Sequence, residues 1–85
     1  MKTYTVFYYI KANRIEFMMN MEVEASNSKE ACAKVKQIVK ERSGQNAFRP
    51  TTKAPDADMI EFYKNKPGFA CRITVLAETP ERVSP

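Results

Sequence analysis

The chain has 85 residues, enough for one small domain and too few for two cores that would each fold unaided. With 44% hydrophobic and 11% aromatic residues, and only two glycines, the composition is that of a globular domain rather than a linker or a disordered tail. The net charge of +4 is mildly basic, and the absence of histidine removes His-based acid–base catalysis and His-ligated metal sites.

Period-2 alternation dominates the first 25 residues. Tyr4, Val6, Tyr8 and Ile10 occupy even positions, and Ile15, Phe17, Met19, Met21, Val23 and Ala25 occupy odd ones. This pattern predicts two strands with one face each toward a core. A two-residue turn at Ala12-Asn13 would pair Ile10 with Ile15, Tyr8 with Phe17, Val6 with Met19 and Tyr4 with Met21. The opening segment is Tyr-rich, is followed by Lys11 and Arg14, and lacks a small-residue cleavage site, so it reads as a strand rather than a signal peptide. No apolar run approaches the ~20 residues of a membrane span. The expected setting is cytoplasmic, with Cys32 and Cys71 as buried free thiols.

A helix is predicted over 28–43. Asn27 serves as its N-cap, Glu30 reaches back, and Gly44 supplies a left-handed stop. Ala31, Val35, Ile38 and Val39 form its apolar stripe. The next segment, 46–53, reads as extended around Phe48, and Pro50 restricts it to a sheet edge or a loop. Over 56–64, Asp56 and Asp58 at the start and Lys64 and Lys66 at the end favour a short helix over a strand. Lys66-Pro67-Gly68-Phe69 fits a type II turn. Alternation from Phe69 to Ala77 predicts a last strand, and 79–85 reads as a flexible tail beyond a single domain of 1–78. The expected fold is α+β: a small antiparallel sheet in the order β-β-α-β-(α)-β, with the main helix packed on one face.

Charge is segregated along the chain. Residues 1–26 are net zero, 27–53 are net +5 and 54–85 are net −1. On a helical wheel Lys29, Lys36 and Lys40 lie within about 40° of one another. With Arg49 and Lys53 they form a candidate binding flank for nucleic acid or an acidic protein surface. A second candidate surface is the outer sheet face, where Phe7, Tyr9, Met18 and Leu76 would meet a partner or form a homodimer seam. The segment 54–66 folding back over that face is the alternative.

Asp56, Asp58 and the strand glutamates Glu16, Glu22 and Glu24 are the available carboxylates. No nucleophile, metal set or phosphate loop accompanies them, and the pattern calls for neither cofactor nor metal. The sequence therefore points to a non-enzymatic binding module that docks on a larger macromolecule, of a size and charge that suit an accessory or inhibitor protein, for instance of a phage. A structural homodimer is the alternative, and a cofactor-free enzyme would need a pocket around Asp56, Asp58 or a perturbed cysteine.

Overall fold

The computed structural model describes residues 1–73. Its elements are β1 (Lys2–Ala12), β2 (Ile15–Ala25), α1 (Ser28–Ser43), β3 (Phe48–Thr51), α2 (Ala57–Asn65) and β4 (Phe69–Cys71). They form an α+β fold around a four-stranded sheet of order β3-β1-β2-β4. The sheet is mixed: β1 runs antiparallel to β2 and β3, whereas β4 runs parallel to β2. The expected extension of the last strand to Ala77, Leu76 with it, and the tail at 79–85 lie outside the described residues.

The hairpin forms with its apolar faces as predicted, but its register sits two residues further on. Tyr8 faces Met19, Val6 faces Met21 and Ile10 faces Phe17. The turn is Asn13-Arg14, with φ of 54° and 67°, the positive pair that a type I′ turn requires. A two-residue slip leaves the core-facing set unchanged, so the opposite face makes the choice. In the observed register Lys11 meets Glu16, and Tyr9 meets Met18. The expected register would have set Tyr9 against Glu16 and Phe7 against Met18.

Helix α1 has the expected bounds and caps. Asn27 Oδ1 accepts from Glu30 N at 2.8 Å, and Glu30 Oε1 accepts from Ser26 N at 2.5 Å. Gly44 ends the helix at φ 75°, donating its N–H to the Lys40 carbonyl. Ala31, Val35 and Val39 are buried against Val6, Tyr8 and Ala25. This is the first core.

A second core lies on the other face of the sheet. Tyr9, Met18 and Tyr63 are buried there, with Phe48, Ile60, Phe69 and Cys71 packed around them. The topology explains why. The path β2–α1–β3 crosses the sheet in one direction, and β3–α2–β4 crosses back. Crossovers of one hand that travel in opposite directions place their helices on opposite faces. The four consecutive residues Val6, Phe7, Tyr8 and Tyr9 are all buried as a result, the mark of a strand covered on both sides.

This arrangement corrects the outer-surface reading of Phe7, Tyr9 and Met18. They are 3%, 6% and 0% exposed, and the segment that includes α2 folds back over this side. Cys32 and Cys71 are free and only partly buried, and they pack against different cores.

Candidate functional site

Three elements meet where β2 begins. Glu16 stands on the strand face that carries Met18, turned toward α2. Its Oε2 accepts two hydrogen bonds, from Tyr63 Oη at 2.5 Å and from Arg49 Nη2 at 2.7 Å. Arg49 arrives from β3 through an irregularity in the ladder. Phe7 pairs with Thr51 and Tyr9 with Phe48, so β3 holds one residue more than β1 over that stretch. Arg49 has φ of 52° there, which places a non-glycine residue in the left-handed region. Its guanidinium carbon lies 4.8 Å from the centre of the Tyr9 ring and 5.2 Å from that of Phe48.

Tyr63 is the buried residue of α2. Its ring lies 5.5 Å from Tyr9 and 5.1 Å from Phe69, and Phe62 is 4.9 Å from Phe69. Burial, reinforced by the hydrogen bond to Glu16, pushes the Tyr63 phenol up to about 12. It therefore stays protonated and donating across the neutral range. Burial also raises Tyr9 and Tyr8, and it pushes the Cys32 thiol up, away from the thiolate a nucleophile needs.

Beside this cluster opens a concavity of about 570 Å³, bordered by Glu16, Arg49, Asp56, Asp58, Phe62 and Phe69, among others. A smaller one of about 270 Å³ adjoins it, sharing Asp56 and Met59 and reaching Lys53. The larger one is an open groove along the start of α2. Asp56 caps that helix, its Oδ1 accepting from Met59 N at 2.9 Å. Asp58 makes no hydrogen bond or ion pair among the described residues. The groove thus holds both aspartates singled out in the sequence, one of them committed to the helix cap.

The five residues of the basic flank divide between the two sides of the sheet. Lys29, Lys36 and Lys40 are exposed on α1. Arg49 is tied to Glu16 and stacks on Tyr9, on the α2 side, where Lys53 borders the smaller concavity. Lys34, half-buried on the other flank of α1, donates to the Glu24 carbonyl at 2.8 Å. The Glu16–Arg49–Tyr63 cluster had no local signal, because its partners lie 33 and 47 positions from Glu16. The alternation of β2 marked Glu16 only as a polar position on the strand's other face. Among the described residues no group of three cysteine or carboxylate side chains could hold a metal ion, and no helix is long and apolar enough to cross a membrane. Comparison with family models, curated proteins and solved structures finds no match.

Proposed function

We propose that this chain is a small non-enzymatic binding module that docks on an anionic macromolecular surface through Lys29, Lys36 and Lys40. One observation carries the reading. The inner side of α1 is committed to the core while these three ammonium groups stand exposed, with no ion-pair partner among the described residues. Lys40 donates to the neutral Asn46 side chain at 3.3 Å, which leaves its charge uncompensated. The row runs roughly 16 Å along the helix, long enough to meet several phosphates or carboxylates. Arg49 and Lys53 drop out of the row because they belong to the other side of the sheet. The homodimer seam built on Phe7, Tyr9 and Met18 loses its support, since those side chains are interior.

Fluorescence anisotropy with a labelled DNA duplex and with polyglutamate tests the reading and separates the two kinds of anionic partner. For the duplex, three phosphate contacts predict a slope near −2.7 in log K against log salt, from about −0.9 per contact. Lys36→Glu combined with Lys40→Glu should abolish binding and leave the circular dichroism unchanged. Binding to neither probe, or binding that the double variant retains, would count against the proposal.

A further inference from the structure

We infer that the anionic surface met by the lysine row is the α2 groove of a second copy of this chain, so that copies associate head to tail. The inference rests on the docking reading above and names its partner. The two surfaces carry opposite charge and lie on opposite faces of the sheet. Helix α1 holds five basic residues against two acidic. The groove holds Glu16, Asp56 and Asp58 against Arg49, with Lys53 on the adjoining smaller concavity and Lys66 beside Phe62 at the rim. Within it Arg49 neutralises Glu16, and the positive end of the α2 dipole offsets about half a charge, so Asp58 and the free side of Asp56 remain to attract a cation.

Apolar fit accompanies the charge. Met59 and Phe62 are 38% and 45% exposed, more than any other large hydrophobic residue described except Met1, and both border the groove. On α1, the exposed Ala33 lies between the lysines, where a small side chain allows close approach. The stems of Lys36 and Lys40 can cover Phe62 and Met59 while their ammonium groups reach the aspartates. The Phe62 ring already receives an ammonium in this way, with Lys66 Nζ 5.9 Å from its centre. Because the joined surfaces lie on opposite faces, the contact is heterologous and does not close into a symmetric pair.

Sedimentation velocity on the full chain tests this directly. At about 0.1 M salt the mean mass should rise with concentration through dimer and beyond, and at about 1 M it should return to monomer. K36E/K40E and D58K, all exposed substitutions that spare the Asp56 cap, should each be monomeric. Mixed in equal amounts they should form dimers and nothing larger, because one copy offers only a groove and the other only a row. The inference is overturned if the wild type is monomeric up to about 1 mM, if either variant alone associates like the wild type, or if the mixture stays monomeric. A monomeric wild type that still binds the duplex or polyglutamate would remove this partner and leave the docking reading standing. Loss of that binding as well would remove both.

Discussion

Two arginines occupy backbone conformations usually left to glycine or asparagine, and they differ in what they gain there. Arg14, at φ 67° in the hairpin turn, is exposed and makes no hydrogen bond or ion pair among the described residues. Relief of the left-handed strain should therefore make Arg14→Gly stabilising by about 0.5–1 kcal/mol, net of the greater freedom glycine gives the unfolded chain. Urea midpoints of the two proteins check it. Arg49 at φ 52° has compensation, because that conformation brings its guanidinium to Glu16 and over Tyr9. Its pair with Glu16 is itself modest, at most about 1 kcal/mol, since the Arg49 side chain is 61% exposed. The Tyr63 hydrogen bond is better shielded and gives the molecule a pH signature. Unfolded tyrosine loses its proton near 10, whereas folded Tyr63 holds it to about 12. Across that window the unfolded state binds fewer protons, so stability falls as pH rises, by at most about 1.4 kcal/mol per pH unit for this group. The raised Tyr8 and Tyr9 act in the same direction. Urea unfolding between pH 9 and pH 12 should show the fall, and Tyr63→Phe should flatten it. An unchanged slope in the variant would assign the effect to other groups.

At the scale of elements, what could be read in advance follows from how local the determinants are. Asn27, Glu30 and Gly44 bracket α1 within its own sequence, and the helix begins and ends where they place it. Asn27→Ala should cost about 1 kcal/mol and lower Tm by about 4–8 °C, measurable by thermal circular dichroism. The turn at 66–69 was equally local: Phe69 N donates to the Lys66 carbonyl at 3.2 Å, and Gly68 has φ of 86°. The carboxylate-first, lysine-last pattern of 56–64 likewise gave a helix capped by Asp56. Pairing between elements was less legible. Two registers of the hairpin bury the same residues, and the apolar alternation of Tyr4–Ile10 and Ile15–Ala25 cannot separate them. The difference lay on the other side, where Tyr9 faces Met18 in the observed register and would face Glu16 in the other. Nor did the alternation beginning at Phe69 carry a direction. That β4 lies parallel to β2 depends on the crossover through α2, which no local pattern of Phe69–Cys71 encodes. The groove was hidden for the same reason, since it exists only once α2 has crossed the sheet.

Taken together, the described residues form a sheet between two unequal layers, and the inequality has a consequence for the dynamics. Helix α1 spans 16 residues and buries Ala31, Val35 and Val39, whereas α2 spans nine and buries Tyr63 alone. Local opening draws on the layer with less buried apolar surface. Detachment of α2 would cost the Tyr63 contacts and the hydrogen bond to Glu16, and would leave the first core of Val6, Tyr8, Val35 and Val39 intact. Native-state hydrogen exchange should accordingly find the α2 amides opening at lower free energy than those of α1 and the β1–β2 ladder. Glu16→Gln should widen that gap, because a neutral amide accepts more weakly from Tyr63 and loses the ion pair with Arg49, a combined effect of about 1–3 kcal/mol. The α1 amides should not respond beyond the change in global stability. If the two helices instead exchanged at one common free energy in both proteins, the layers would be a single cooperative unit. The α2 groove would then be as rigid a surface as the lysine row on α1.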